Sequence, residues 1–121
     1  MDLYQEQILE HYKHPQNFGL IKNATYTRKE LNPTCGDSFT FSIHINDKGV
    51  VDEVGFAGEG CAVSTASASL LSEAIKGKTL PEVLNLKTEF ILELLHIELG
   101  PARLKCALLP LQAVTRINQS S

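Results

Sequence analysis

The chain lacks any apolar run near the ~20 residues that a membrane-spanning helix needs, and it lacks a basic cluster. Its 11 Lys and Arg stand against 14 Asp and Glu, a net charge of −3, which leaves no electrostatic footprint for nucleic acid. The opening Met1-Asp2-Leu3-Tyr4 has neither the basic start nor the apolar stretch of a signal peptide. A cytoplasmic protein with no nucleic-acid and no membrane partner is expected. No repeat, linker or low-complexity segment interrupts the 121 residues before the polar tail Asn118 to Ser121, so residues 1–121 read as one domain. By mass scaling such a chain buries about two-thirds of its unfolded surface, enough for a core without disulfide staples. No exposed apolar stripe stands out, and a monomer is the default.

Cysteine is scarce too. Cys35, Cys61 and Cys106 are an odd number, which cannot close a disulfide framework, and no two form a C-x-x-C pair. In a reducing compartment, cysteines beside glycine, proline and charge more often bind metal or react than cross-link. The alternative is that each is a small buried hydrophobe. The polar, Gly-rich turns around Cys35 and Cys61 are poor core sites, which favours metal. The stretch Asn32-Pro33-Thr34-Cys35-Gly36-Asp37 places a thiol and a carboxylate two residues apart on a loop stiffened by proline and loosened by glycine.

The pattern of elements explains how distant thiols could meet. Asp2 can cap a first helix, with Gln5 reaching back. Tyr4, Ile8 and Tyr12 form its docking stripe, and it stops at His14-Pro15. His11 and His14 read as surface or packing residues rather than ligands. Three strands follow, Ala24 to Leu31, Ser38 to Ile45 and Val50 to Ala57. The second alternates cleanly, with Phe39, Phe41, Ile43 and Ile45 on one face and Ser38, Thr40, Ser42 and His44 on the other. Asn46-Asp47-Lys48-Gly49 is a hairpin turn. Antiparallel pairing then brings Cys35 and Asp37, before the second strand, beside Cys61, after the third.

The remainder reads as helical. Ala62 to Lys76 carries Val63, Ala66, Leu70 and Ala74 on one face, with serines and alanines that permit close approach to the sheet, and Gly77 ends it. Cys61 lies at its N-terminus, where the dipole favours thiolate. Thr79-Leu80-Pro81-Glu82 opens a short helix with a capping box, and Thr88 to Leu95 forms another that presents Phe90, Ile91, Leu94 and Leu95. Gly100-Pro101 starts the last element. Pro110 removes a bond to the Cys106 carbonyl, so either this helix is kinked or its regular part begins near Cys106, at a second positive helix end.

Three thiolates and one carboxylate suit tetrahedral Zn²⁺, and thiolates also suit an iron–sulfur cluster. Asp37 is the hard donor among soft sulfurs and the natural ligand to let go. A site with one labile corner fits a metal or cluster that must leave.

The motifs together resemble the U-type iron–sulfur cluster assembly proteins, the IscU, SufU and NifU N-terminal family. They run from Leu3-Tyr4, Ile8, His11-Tyr12, Pro15, Asn17 and Gly19, through Asn32-Pro33, Cys35-Gly36-Asp37, Phe56, Gly58 and Gly60-Cys61, to Lys76-Gly77-Lys78, Pro101 and Cys106. The resemblance implies an α+β fold, a three-stranded antiparallel sheet with helices packed on one face, flanked by an N-terminal and a C-terminal helix. It implies Cys35, Asp37, Cys61 and Cys106 as ligands of Zn²⁺ or of a [2Fe–2S] cluster, with Cys35 or Cys106 accepting persulfide sulfur from a partner cysteine desulfurase. Recipient apo iron–sulfur proteins would be further partners. The expected role is a scaffold or carrier; a zinc-dependent sulfurtransferase of the SufU type is the first alternative, and a structural-zinc interaction module the second. Scaffold members usually carry His before the third cysteine. Lys105 stands there instead, removing a nitrogen ligand and adding a charge that would favour thiolate and persulfide capture at Cys106. The sulfurtransferase branch usually has an insertion of about 20 residues that this chain lacks. Leu99-Gly100-Pro101-Ala102-Arg103 is a degenerate form of the scaffolds' chaperone-docking motif, which argues against an Hsp70-type partner. Arg103 reads either as a contact for an acidic partner surface or as a solvated arginine, and Glu59, close to Cys61, as an exposed loop carboxylate by default or as a support behind the ligands.

Overall fold

The computed structural model describes residues 3–33 and 36–119. Helix α1 (Leu3–Lys13) leads into strands β1 (Tyr26–Asn32), β2 (Asp37–Ile45) and β3 (Val51–Glu59), followed by helices α2 (Ala62–Ala74), α3 (Leu80–Leu84), α4 (Thr88–Leu95) and α5 (Pro101–Thr115). The strands form one antiparallel sheet in the order β1-β2-β3, the α+β arrangement expected. Asp2, the expected cap of α1, lies outside the described residues.

The alternation in β2 sets the layers. Phe39, Phe41 and Ile43 are sealed from solvent beneath the helices, as are Val51, Val54 and Phe56 of β3. Phe41 pairs with Phe56 across the strands, their rings stacked with centroids 5.4 Å apart. The opposite face is not left wholly to water. Ser42 is buried because the segment after α1 crosses the sheet, Ile21 N–H donating to Ser42 Oγ at 3.0 Å. Gly19 N–H donates to the Phe56 carbonyl at 2.6 Å and Phe56 N–H to the Asn17 carbonyl at 3.0 Å, so this segment also covers part of the β3 edge, the usual remedy for unpaired strand groups. His44, expected to be simply solvated, is half-exposed and pairs with Asp52 at 2.7 Å. The hairpin turn is as expected, with Asn46 Oδ1 accepting from Lys48 and Val50 N–H.

Helix α2 is the hub. It packs on α1, α4, α5 and β3, and Ser64, Ser67, Ser69 and Ser72 are buried on it along with Val63, Ala66, Ala68, Leu70 and Leu71. The small residues therefore admit neighbouring helices as well as the sheet. This also corrects the stripe expected on α1. Only Ile8 is buried, while Tyr4 and Tyr12 stay more than two-fifths exposed, because His11 and the segment after α1 are tied to α2 by polar bonds. His11 Nδ1 lies 2.6 Å from Ser69 Oγ, Gln16 N–H donates to the same oxygen at 2.8 Å, and Asn17 Nδ2 donates to Ser72 Oγ at 3.0 Å. His11 is thus a packing residue, as its position suggested. Tyr4 instead stacks on His96, centroids 4.4 Å apart.

The capping box at Thr79 and Glu82 forms as expected and anchors α3, whose Val83 reaches the core. Helix α4 buries Ile91 and Leu95. Of the two alternatives for the last helix, α5 runs without interruption through Pro110 to Thr115. Cys106 is therefore in its second turn and not at a helix end.

Candidate metal centre

Three elements deliver the donors. Asp37 is the first residue of β2, directly opposite Asn32 of β1. The next residue, Ser38, pairs with Glu59 at the end of β3, so Cys61, two residues further on, returns to the same end of the sheet. Gly60 is required there: a Cβ would press against Ser64 Oγ and the Phe39 ring. Gly58 has φ near +148° and a Cβ on it would strike the Ser38 carbonyl, which lets β3 turn sharply into α2.

Cys61 is the N-cap of α2, its Sγ accepting a hydrogen bond from Ser64 N–H at 3.5 Å. Ser64 Oγ donates to the Cys61 carbonyl at 3.1 Å, so cap and sulfur are fixed by one residue. Cys106 arrives on α5, which packs on α2, β1 and β2. One ligand atom from each of Asp37, Cys61 and Cys106 lies within 4.8 Å of the other two. Two sulfurs each 2.3 Å from a tetrahedral ion would sit about 3.8 Å apart, so the three donors need close by about 1 Å at most.

The cluster has a floor and a mouth. Asp37 is only 7% exposed, Cys106 is half-buried and Cys61 is exposed. Asp37 Oδ2 is sealed from water and has no hydrogen-bond partner among the described residues. A buried oxygen left without a donor costs about 1–3 kcal/mol. A cation seated between it and the two sulfurs would remove that cost, so the residues fit a metal ion bound by sulfur and oxygen. Cys35, expected as a fourth donor and as a persulfide acceptor, lies outside the described residues.

Lys105 is exposed on the α5 face next to that of Cys106. With Leu31, Asn32, Pro33, Leu108, Leu109 and Gln112 it lines a cavity of about 280 Å³ against the end of β1. Arg103, also exposed, borders an apolar groove of about 300 Å³ with Gln5, Ile8, Leu9, Ala62, Val63 and Ile97. Glu59 is exposed, as expected. Two residues went unread in the sequence. Ser64, at the third position after a capping residue, carried a recognisable signal, because capping bonds are made to that N–H. Ser67 donates to the Ala107 carbonyl across the helix pair at 2.7 Å, and only the packing of α2 on α5 reveals it.

A meander of three strands and a buried Ser/Ala helix, holding two thiols and a carboxylate around one point, defines an α+β protein with a surface-opening candidate site of thiol and carboxylate donors. The sequence matches the family described as the NifU-like N terminal domain over residues 3–118. The chain belongs to that family. It is 34% identical to the zinc-dependent sulfurtransferase SufU of Bacillus subtilis (strain 168), covering 94% of this chain and 88% of that protein. It is 33% identical to the iron-sulfur cluster assembly scaffold protein IscU of Escherichia coli (strain K12), covering 92% and 88%. Among solved structures, FiSufU of Fervidobacterium islandicum AW-1, provisionally described as an iron-sulfur cluster assembly scaffold protein for the SUF system, superposes with a TM-score of 0.77 at 28% identity, covering 90% of this chain and 91% of that one. The Bacillus alignment spreads about 114 residues of this chain over 131 positions, whereas the Escherichia alignment spreads about 111 over 114. This chain thus lacks about 17 positions relative to the former, in keeping with the missing insertion. No helix among the described residues is long and apolar enough to cross a membrane.

Proposed function

We propose that this chain accepts sulfur from a cysteine desulfurase and builds or carries a labile iron–sulfur cluster as its cargo. Asp37, Cys61 and Cys106, with Cys35, would hold that cargo. The observation that carries this reading is the convergence of the three described donors within 4.8 Å at a site open on its sulfur side, with an unpartnered carboxylate oxygen behind them. A structural site would close around its ion. The reading takes residues 1–121 as one domain, supported by a single core to which every element contributes, Tyr26 of β1 and Leu80 and Leu84 of α3 packing against its buried residues.

In the sulfur-transfer step, a thiolate of this chain, Cys35 or Cys106, attacks the outer sulfur of the desulfurase persulfide. The sulfur–sulfur bond on the desulfurase breaks, a new one forms on the acceptor cysteine, and the electron pair leaves with the desulfurase thiolate. No oxidant or reductant is consumed. Turning that sulfur into the sulfide of a cluster requires two electrons per sulfur from an external reductant. Asp37, Cys61 and the remaining cysteine would hold the metal while the acceptor thiolate is free. Zinc on these donors would hold the thiolates deprotonated and in place between transfers.

A second reading, a zinc-dependent sulfurtransferase that only relays persulfide sulfur, is favoured by Lys105 and by the likeness to SufU. The lysine offers no imidazole ligand and places a positive charge next to Cys106 in sequence. Two measurements decide. Turnover of a cysteine desulfurase should rise when the chain is added and not when Cys35→Ala is added; no stimulation by the wild type would leave only a structural-zinc module. Anaerobic incubation with iron, sulfide and a dithiol should develop the visible absorption of a [2Fe–2S] cluster. A colourless protein that still stimulates the desulfurase with zinc bound would establish the relay instead.

A further inference from the structure

We infer that Ser67 is a positioning residue for the metal centre, setting the separation of Cys61 and Cys106 through the Ala107 carbonyl; this rests on the reading of those cysteines as metal ligands. Ser67 is fully buried, and its Oγ donates to the Ala107 carbonyl at 2.7 Å, linking α2 to α5 across 40 residues of sequence. On one side of that bond, α2 runs back to its own N-cap, Cys61, whose sulfur is fixed by Ser64 N–H. On the other side, Ala107 is the peptide neighbour of Cys106. Sulfur is therefore connected to sulfur by one turn and a half of helix, a single hydrogen bond and one peptide unit.

The contact is made one residue from the point where α5 loses a ladder bond. Pro110 lies inside the helix and has no N–H to offer the Cys106 carbonyl, and its ring crowds that turn. A donor from outside the helix counts for more at such a turn. Ala66 and Ala107 are both fully buried, and their small side chains let the two backbones approach closely enough for a serine to span them. The other buried serines of α2 are engaged elsewhere. Ser64 bonds the Cys61 carbonyl, Ser69 meets His11 and Gln16, and Ser72 donates to the Ser69 carbonyl. Of these four serines, Ser67 is the one whose hydroxyl reaches α5 among the described residues.

The test pairs Ser67→Ala with Ser72→Ala, an equally buried hydroxyl of the same helix that faces Gln16 and Asn17 after α1. Zn²⁺ affinity is measured by chelator competition, and geometry by the visible absorption of the Co²⁺-substituted protein, with thermal stability recorded for each variant. Groups that orient metal ligands from behind typically change metal affinity 10- to 100-fold when removed. Ser67→Ala is expected to weaken Zn²⁺ about tenfold and to shift the Co²⁺ bands, while Ser72→Ala loses stability but keeps both. Wild-type affinity and spectrum in Ser67→Ala, or an equal loss in Ser72→Ala, would overturn the assignment. If Ser67→Ala does not fold, the pair is compared in the Pro110→Ala background, where α5 regains a ladder bond. Ser67→Ala must still weaken Zn²⁺ there, and equal affinities would overturn it. Absence of a thiolate-to-Co²⁺ band in the wild type would instead sink the metal reading itself.

Discussion

Asp37→Ala should stabilise the metal-free protein and destabilise the zinc-loaded one. In the metal-free state the carboxylate is 7% exposed with one oxygen lacking a partner among the described residues, a desolvation cost of about 1–3 kcal/mol. Alanine removes that oxygen. Against the gain stands the small void it leaves at the floor of an open site, where water can enter through the sulfur side. A net gain of about 1 kcal/mol is expected, which for a chain of this size raises Tm by about 3–5 °C. With zinc the sign reverses. Free metal at 100 times Kd stabilises a native protein by about 2.7 kcal/mol. If losing the carboxylate raises Kd about 100-fold, the same free zinc stabilises the variant by only about 0.4 kcal/mol. The wild type then overtakes it by more than 1 kcal/mol. Anaerobic urea unfolding, once with a chelator and once at buffered free zinc, reads both numbers. A metal-free variant less stable than wild type by 1 kcal/mol or more would show that the carboxylate is well partnered, and the fit to a cation would lose its physical basis.

Lys105→His should lengthen the lifetime of a reconstituted cluster at least severalfold by supplying a nitrogen donor beside Cys106, and should reduce the rate of persulfide capture; chelator challenge and a gel-shift assay of persulfidated protein measure the two. Gly60→Ala should cost about 1–3 kcal/mol, the range for overpacking, because the added methyl meets Ser64 Oγ and the Phe39 ring, and it should weaken zinc by displacing the cap that holds Cys61; urea unfolding and metal competition check it. Thr79→Ala should cost about 1 kcal/mol as a lost cap. Its backbone and side-chain hydrogen bonds hold the Glu82 carboxyl below the usual range. A depressed carboxyl stabilises above its ordinary range and loses that contribution as pH falls, so the cap weakens on acidification in the wild type, and the Glu82 titration followed by NMR should move up in the variant.

Much of this fold is written in local pattern. The alternation from Phe39 to Ile43 named the buried face of β2 because a pleated strand allows only two faces, and Thr79 with Glu82 named a cap because the bond spans three residues. The site was half legible for the same reason: Asp37 and Cys61 are joined by one strand pairing, which a meander imposes. Cys106 was not, since nothing in residues 101–110 says against which part of α2 they pack. Its placement depends on Ser67, Ala66 and Ala107, small residues whose meaning appears only when two helices meet. The misplaced stripe of Tyr4 and Tyr12 has the same origin. Aromatic spacing alone suggested an apolar face, yet α2 offers α1 serine hydroxyls there, and His11 and Gln16 answer them.

The depth of Asp37 makes its role depend on the cargo. Zinc accepts a carboxylate oxygen readily at 2.0–2.2 Å, so its affinity should fall when Asp37 is removed. Cluster irons are held by thiolates, and a hard oxygen among them is the bond most easily broken. When that bond opens, an iron becomes free to accept a competing ligand, which can approach past the exposed Cys61 and half-buried Cys106. Removing the carboxylate leaves the cargo on soft donors alone, with no hard oxygen bond left to open. Asp37→Ala should therefore extend the half-life of a reconstituted cluster under chelator while it lowers zinc affinity, two changes of opposite sign from one substitution. A variant cluster that decays as fast as wild type or faster, followed by its visible absorption, would place the labile bond on a sulfur and refute the carboxylate's part in release.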